Sequence, residues 1–216
     1  MGRSTIIGAW FALTLRIEAG AIQGLDEFLA SAESAARPAA AMAMNDITGG
    51  KGLTRYKKSI KMQVAFPGGY LEDAERFGQT GFATPARLET RISARQRPTS
   101  LARFASGGAA GQGATVRVKP GRSVRLKGAF TVRLRAGTTL DDENFNVGLA
   151  VRLKPGQTIR NKRDTSRMVH LAPNVVLLYG PSVDQVFRSV AETDTPAVLD
   201  EMGLEFLRQF TRLSNG

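Results

Sequence analysis

The chain has 216 residues, of which 42% are hydrophobic, enough for one sizeable core or at most two small domains. It contains no cysteine and a single histidine, His170, which excludes a disulfide scaffold, a Cys-ligated metal site, a thiol nucleophile and a histidine-based metal cluster. Its 30 Lys and Arg residues against 19 Asp and Glu residues give a net charge of +11, which predicts contact with an acidic partner such as nucleic acid, a membrane surface or another protein.

The positive charge is concentrated in the middle of the chain. Residues 87–167 contain 18 Lys and Arg against 5 Asp and Glu, whereas the other 135 residues contain 12 against 14. Two interpretations are open. The basic residues belong to solvated strand faces without a partner, or one face of the molecule meets an acidic surface.

The N-terminal segment has the pattern of a half-buried strand. Residues 5–15 are apolar enough to resemble a signal-peptide core, but Arg16 and Glu18 follow where a cleavage region would be small and neutral. Apolar residues also alternate with more polar ones from Ile7 to Ile17, which is the period of a strand. No apolar run reaches the roughly 18 residues needed to span a bilayer. We therefore expect a soluble chain that is made in the cytoplasm.

Helical patterns follow this strand. Residues 25–36 place apolar side chains at helical spacing, and Pro38 marks a break or the first turn of a new Ala-rich helix. Glycines then loosen the pattern, and Thr54 can cap a further helix that runs to Phe66. Pro67–Gly69 stops this helix.

The middle of the chain predicts antiparallel strands. Residues 87–95 alternate, and three similar pieces follow at Val116–Gly121, Val132–Gly137 and Val151–Gly156. Each piece places aliphatic side chains on one face and Arg or Lys on the other, and the Pro-Gly pairs supply turns. We predict hairpins in one antiparallel sheet. Its outward face would carry Arg117, Lys119, Arg125, Lys127, Arg133, Arg135, Arg152 and Lys154.

Three segments between these strands are interpreted as loops. The glycines of Ser106–Gly113 lack the spacing of a phosphate-binding loop, so this segment is predicted to be a flexible tether. The acidic run Asp141–Glu143 fits a solvated turn better than a calcium site. Residues Arg160–Arg167 form an exposed basic loop.

The C-terminal part predicts one strand and two helices. Val175–Leu178 fits a short buried strand, Pro181 opens a helix, and Thr195-Pro196 starts a second one. Gly203 within the second helix predicts close packing of another backbone, because glycine otherwise costs about 1 kcal/mol relative to alanine.

These patterns together predict a single α+β domain over residues 1–216. An antiparallel sheet from the central segment packs against N-terminal and C-terminal helices. Residues 1–86 supply the N-terminal strand and helices, residues 87–179 the basic β-rich region, and residues 180–216 the C-terminal helices.

The sequence does not favour an enzyme. The apolar neighbours of His170 favour a packed, hydrogen-bonded histidine over a catalytic base. No nucleophile elbow or zinc-protease motif is present, while a carboxylate pair distant in the sequence stays open. We expect no catalytic, cofactor-binding or metal-binding residues.

Two classes of non-enzymatic protein would use the basic strands. The strands offer only Phe130 and Phe145 as aromatic residues, so a nucleic acid would be contacted through its phosphate backbone without base recognition. The other class is a structural protein that assembles with its own copies. The same arginines would then pair with the 14 carboxylates of the flanks, for which the bidentate geometry of arginine is suited.

Four stretches carry a resemblance to a known family: Met42–Asn45, Phe66–Leu71, Arg97–Phe104 and Leu178–Val183. In this order they resemble the prophage minor tail protein Z family of long-tailed phages, and the last two are the more specific. The residues that carry the resemblance are Phe66, Pro67, Gly68, Tyr70, Arg97, Pro98, Thr99, Ser100, Leu101, Arg103, Phe104, Tyr179, Gly180, Pro181 and Ser182.

The resemblance implies a minor virion component that acts in tail completion at the head-proximal end of the tail and has no enzymatic activity. We expect it to be synthesised in the host bacterial cytoplasm and to form a closed homo-oligomeric ring. Its partners would be its own copies, other tail and head–tail connector proteins and the phosphate backbone of packaged DNA, with no membrane contact. The alternative is a non-specific DNA-binding protein outside any virion.

Overall fold

The computed structural model describes residues 5–9, 12–31, 35–134, 146–157 and 169–215. Residue contacts divide the chain into two compact units. Unit 1 consists of Met1–Met62, Gly68–Arg97 and Ser182–Gly216, and unit 2 of Gln63–Pro67 and Pro98–Pro181. Helices and antiparallel sheets are both present, so the predicted α+β class is confirmed. The single-domain organisation stays a prediction.

Unit 1 contains a four-stranded antiparallel sheet and the helices. The strands follow the order β1-β2-β4-β3 across the sheet. The elements are β1 (Thr5–Ala9), β2 (Ala12–Glu18), α1 (Leu25–Ser31), α2 (Ala36–Ile47), α3 (Leu53–Gln63), β3 (Phe77–Gly81), β4 (Glu89–Arg95) and α4 (Val183–Ser214).

The N-terminal strand prediction is confirmed, with the difference that the segment forms a hairpin of β1 and β2. β2 also pairs with β4, where Leu15 lies opposite Ile92 and Ile17 opposite Thr90. These four side chains are buried, because residues that pair across antiparallel strands share a face of the sheet. The alternation in the sequence therefore predicted which face of β2 and β4 meets the core.

The helices of unit 1 follow the predicted pattern as far as residue 63. Pro38 lies in the first turn of α2, where its missing N–H needs no helical partner. Between α2 and α3 the chain is distorted over Thr48–Gly52, and Gly50 has non-helical angles of φ −104° and ψ −105°. α3 ends at Gln63, three residues before the predicted stop at Phe66.

The prediction of two C-terminal helices is wrong. α4 is one helix of 32 residues with Pro196 inside it, and the Ser182 hydroxyl caps its start by accepting from the backbone N–H of Gln185 at 3.1 Å. A proline inside a helix costs about 3 kcal/mol. Burial of Phe187 before the proline and of Phe206 after it offsets this cost, since apolar side chains on both sides of the proline lie in the core.

Unit 2 contains two antiparallel sheets, so the prediction of one central sheet is wrong. The three-stranded sheet has the order β5-β6-β7 and the four-stranded sheet the order β10-β11-β9-β8. The strands are β5 (Ala105–Gly107), β6 (Ala114–Val116), β7 (Val124–Leu126), β8 (Ala129–Leu134), β9 (Asn146–Arg152), β10 (His170–Ala172) and β11 (Val175–Leu178).

The sheets separate where the chain turns between β7 and β8. Gly128 adopts φ +78° at this turn, a value that glycine reaches without steric cost. β8 then pairs with β9, and the backbone N–H of Thr131 donates to the Gly108 carbonyl at 2.9 Å. β8 thus pairs with β9 in the four-stranded sheet and makes one backbone hydrogen bond to the turn between β5 and β6.

The predicted flexible tether at Ser106–Gly113 is instead part of a hairpin. Its first residues belong to β5, which pairs with β6, and the backbone N–H of Gly108 donates to the Gly113 carbonyl at 3.1 Å. The glycines provide the positive φ angles of this tight turn. The segments Asp141–Glu143 and Arg160–Arg167 lie outside the described residues.

The four-stranded sheet of unit 2 has its own apolar cluster. Ala150, Val175 and Leu177 are buried there, and Phe130, Val132 and Leu134 pack against them. This confirms the buried strand predicted at Val175–Leu178. None of the helices in the described ranges is long and apolar enough to cross a membrane.

Candidate functional site

Nearly all of the excess positive charge belongs to unit 2. Unit 2 contains 14 Lys and Arg residues against four Asp and Glu residues, whereas unit 1 contains 16 against 15. The described part of unit 2 contains nine Lys and Arg residues, all with exposed side chains, and no Asp or Glu. No ion pair can therefore form within the described part of unit 2, and its nine basic side chains give this part a positive field.

The predicted basic residues do not share one face of one sheet. Arg125 lies in β7 of the three-stranded sheet, whereas Arg133 and Arg152 lie in β8 and β9 of the four-stranded sheet. Arg135 lies outside the described residues. The remaining four lie outside the strands, close to strand ends: Arg117, Lys119, Lys127 and Lys154.

Arg133 and Arg152 lie on opposite faces of their sheet. Arg133 pairs with Val147, and side chains alternate along β9, so Arg133 shares a face with Leu149 and Val151. Arg152 shares the other face with Ala150, which belongs to the apolar cluster. The prediction that both arginines point outward together is wrong, because the register of β8 against β9 separates them.

The three-stranded sheet of unit 2 has one polar and one apolar face. Thr115 pairs with Ser106 on one side and with Arg125 on the other, so these three side chains form a row across the polar face. The Arg125 guanidinium donates to Thr115 Oγ1 at 3.4 Å and to the Gln112 carbonyl. The alternate residues Ala114 and Val116 are buried.

A groove of about 510 Å³ lies on the polar face of this sheet. Its polar lining consists of Arg103, Ser106, Thr115, Arg117 and Ser123, and we call it the arginine groove. The β5–β6 ladder continues past the strands, since the backbone N–H of Arg117 donates to the Phe104 carbonyl at 2.8 Å. This bond holds the Arg117 backbone beside the groove.

The apolar residues of the same sheet line a second groove of about 280 Å³. Its walls are Leu101, Val116, Val118, Val124 and Leu126, and Lys119 and Arg122 also line it. Of the basic residues predicted for the outward face, Arg117 lines the arginine groove and Lys119 lines the second groove.

The two most specific stretches of the family resemblance meet in unit 2. Ser100 forms an isolated antiparallel bridge with Tyr179, and the backbone N–H of Gly180 donates to the Thr99 carbonyl at 2.8 Å. Phe104 also contacts Phe66, with ring centroids 5.6 Å apart. These residues make structural contacts, and among the residues of the resemblance only Arg103 adds a charged group to the arginine groove.

Seven carboxylates of unit 1 form ion pairs with basic residues of the same unit. Glu89 is buried and forms ion pairs with Arg16 at 2.7 Å, Arg87 at 2.9 Å and Arg91 at 2.6 Å. Burial raises the pKa of Glu89, but the hydrogen bonds from Arg87 and Arg91 and the charge of Arg16 outweigh it and leave the pKa below its ordinary value. Further ion pairs in this unit involve Glu18, Glu72, Asp73, Asp184, Glu201 and Glu205.

The packed histidine predicted from the sequence is not observed. His170 begins β10 and its side chain is exposed, since every residue of this short edge strand is exposed. No group of three or more His, Asp or Glu residues that could hold a metal ion occurs in the part of the chain that the structure describes.

The sequence did not identify the hydroxyl groups of the arginine groove. Ser106 lies in the segment predicted to be a tether, Thr115 lies in the short strand β6, and Ser123 lies directly before β7. The alternation of Thr115 with the buried Ala114 and Val116 was the available signal.

Comparisons with known proteins identify no relative. No family model matches the chain, and neither a curated protein nor a solved structure matches it.

Proposed function

We propose that the chain is a structural protein of a bacteriophage virion, a minor tail or tail-completion component at the head-proximal end of the tail. In this role it forms a homo-oligomeric ring and catalyses no reaction. Its neighbours are other tail and head–tail connector proteins, and unit 2 presents its positive charge to the phosphate backbone of packaged DNA.

The observation that carries the proposal is the contact between the two stretches of the family resemblance. Thr99 and Ser100 belong to one stretch, Tyr179 and Gly180 to the other, and the two are joined by a backbone hydrogen bond and a β-bridge. Segments that are almost 80 residues apart in the sequence thus support one local structure. The two more specific stretches of the resemblance therefore belong to one local structure, which supports the proposal.

Two features of the surface support assembly and contact with an acidic partner. Leu204 and Leu207, three residues apart on α4, are 70% and 58% exposed. Large exposed apolar side chains that neighbour each other are typical of protein interfaces. The described part of unit 2 exposes basic side chains without any carboxylate, which favours an acidic partner outside this chain.

The test is to locate the chain in intact phage particles. Mass spectrometry of purified virions should find it, and cryo-electron microscopy should show a closed ring at the head-proximal end of the tail. Virions whose tails are complete but lack the chain would overturn the proposal. Recovery of the chain on host DNA, and not in particles, would support the alternative of a DNA-binding protein outside any virion.

A further inference from the structure

The arginine groove combines two kinds of hydrogen-bond donor on a single surface. Arg103 and Arg117 supply guanidinium groups, and Ser106, Thr115 and Ser123 supply hydroxyl groups. The guanidinium of Arg117 has no hydrogen-bond or ion-pair partner among the residues that the structure describes. A guanidinium group donates two parallel hydrogen bonds to phosphate or carboxylate oxygens, and a hydroxyl adds a third donor.

The strands hold these donors in a fixed pattern. Thr115 lies opposite Ser106 on the neighbouring strand, and residues two apart on one strand are separated by about 7 Å on the same face. The Arg117 side chain thus follows the Thr115 hydroxyl along β6 and its extension. A ligand whose acceptor oxygens repeat along the direction of β6 could accept hydrogen bonds from both Thr115 and Arg117.

The described residues that line the groove include no carboxylate that would repel such a ligand. An anion there would meet arginine and hydroxyl groups beside backbone and apolar atoms. The volume of about 510 Å³ lies within the range of about 300–1,000 Å³ that small-ligand sites have. A phosphate group with its adjoining sugars fits this space.

Carboxylates on another copy of this chain are the competing partner, and those of unit 1 that already form ion pairs are the less available of them. Unit 1 already pairs Glu72 with Lys57 and Lys61, and Glu89 with three arginines. A new pairing with unit 2 of another copy would break these contacts and gain only comparable ones. A DNA backbone carries one charge for each phosphate and has no competing cation except mobile counterions.

The groove also shows which part of a nucleic acid it contacts. Its aromatic residues, Phe66 and Phe104, are buried and lie against each other. They are therefore not available for stacking on bases, which single-strand recognition uses. Contact would be to phosphate groups and independent of the base sequence.

We propose that the arginine groove binds the phosphodiester backbone of double-stranded DNA through Arg103 and Arg117, with the hydroxyls of Ser106, Thr115 and Ser123 as further donors. This inference deepens the DNA contact of the proposed function and rests on that function for the source of the DNA. The basic residues on the four-stranded sheet of unit 2 contribute a general positive field and no defined site.

The experiment measures binding of a fluorescein-labelled mixed-sequence DNA duplex to the full chain by fluorescence polarisation, at about 50 mM and about 200 mM salt. We expect R103Q/R117Q to bind at least tenfold more weakly than the original chain at the lower salt. The log–log salt slope should fall by about 1.8, because each lost phosphate contact contributes about 0.9.

The matched control is R152Q/K154Q, which also removes two positive charges from unit 2, but from residues that do not line the groove. It should weaken binding less than threefold and leave the slope almost unchanged. Equal losses in both double variants would overturn the proposal, because they would show that net charge alone attracts the DNA. Thermal unfolding of each variant checks that the fold is kept.

A second variant tests the hydroxyls without a change of charge. S106A/S123A should weaken duplex binding severalfold and leave the salt slope unchanged, and unchanged affinity would show that the hydroxyls do not belong to the site.

Competition with polyglutamate tests the carboxylate alternative. Displacement of the duplex by polyglutamate at an equal concentration of negative charge would overturn the assignment to phosphate. Negligible DNA binding by the original chain would overturn this inference alone, whereas absence of the chain from virions would overturn the proposed function alone.

Discussion

Gly180 lies so close to the ring of Phe104 that a β-carbon on the glycine would be 2.9 Å from Cε2 of the phenylalanine. The same glycine donates its backbone N–H to the Thr99 carbonyl, so its backbone cannot move away without loss of this bond. The pair joins the two stretches that carry the family resemblance, and the contact explains why a residue without a side chain stands at position 180.

We expect Gly180→Ala to destabilise the chain by about 1–3 kcal/mol, which is the typical cost of adding a methyl group to a filled space. Denaturant unfolding measures this cost. Gly68→Ala is the control, because an added β-carbon there meets no atom within 4 Å. Equal stability of the two variants would show that the Phe104 ring moves aside freely.

Gly203 gives the opposite expectation. A β-carbon at this position of α4 would meet only the Ile22 Cγ2 atom at 3.7 Å, an ordinary contact, so the predicted close approach of another backbone is wrong. Gly203→Ala should therefore stabilise the chain by about 0.5–1 kcal/mol, since alanine has the higher helix propensity. Gly52→Ala should destabilise it, because its β-carbon would lie 2.8 Å from the Ile47 carbonyl oxygen. Thermal unfolding distinguishes the two directions.

Local periodicity predicted the elements better than their partners. The alternation around Leu15 and around Ile92 indicated the correct inward faces, because side-chain direction along a strand depends on the strand alone. Arg133 and Arg152 stand in the same local pattern, Val-Arg-Leu, yet they face opposite sides of their sheet. Only the register between strands decides this, and register depends on partners that are distant in the sequence.

The same distinction applies to α4 and to the arginine groove. Pro196 predicts a helix end from local rules, but apolar burial on both sides of the proline keeps one helix. The groove draws Arg103, Ser106 and Ser123 from separate segments that meet only after the sheet has formed. The charge of the sequence predicted a basic surface. The hydrogen-bond donors that line the groove are brought together only by the tertiary structure.

Glu89 makes the stability of unit 1 depend on acidity. Because its pKa is lower in the folded chain than the ordinary value, the unfolded chain binds the proton more readily, and stability is lost as the pH falls from that ordinary value through the folded one. Glu89→Gln should cost about 2 kcal/mol at neutral pH, where hydrogen bonds to charged groups are lost, and should make the acid dependence less steep. Denaturant unfolding across the acid range measures both.

The control for this effect is Glu201→Gln, which breaks the exposed pair with Arg55 and should cost much less stability than E89Q. Glu72 and Glu205 also have lowered pKa values, through hydrogen bonds from Lys57 and Arg208, and remain in both variants. The difference between each variant and the original chain therefore isolates one carboxylate. An acid dependence that is identical in E89Q and in the original chain would contradict the role of Glu89.

Tyr56 makes the stability depend on alkaline pH. Its hydroxyl lies 3.0 Å from Thr195 Oγ1, which itself donates to the Ala191 carbonyl at 2.6 Å. Burial raises the pKa of Tyr56 to about 12, and the hydrogen bond to Thr195 opposes this only in part. The folded chain thus holds this proton more tightly than the unfolded chain, so stability is complete below about pH 10 and declines as the pH rises toward 12.

Tyr56→Phe should remove this alkaline decline and cost about 1 kcal/mol at neutral pH, where it deletes one hydrogen bond. Unfolding free energies at neutral and alkaline pH measure the two effects. Tyr179→Phe, in unit 2, is the control and should leave the decline in place. Equal slopes for the Tyr56 and Tyr179 variants would show that other groups cause it.

We expect the assembly proposed for the chain to use the exposed leucines of α4. Leu204 and Leu207 expose 70% and 58% of their surface, so their replacement by serine removes apolar area that solvent contacts in the single chain. Burial of such area stabilises an interface by roughly 25 cal/mol per Å². We expect L204S/L207S to lower the molar mass measured by light scattering, while the unfolding free energy of the single chain changes by less than about 0.5 kcal/mol. Phe82→Ser is the control, since Phe82 is similarly exposed at 66% but lies outside α4. A molar mass unchanged by L204S/L207S, or reduced equally by F82S, would show that ring formation does not depend on this face of the helix.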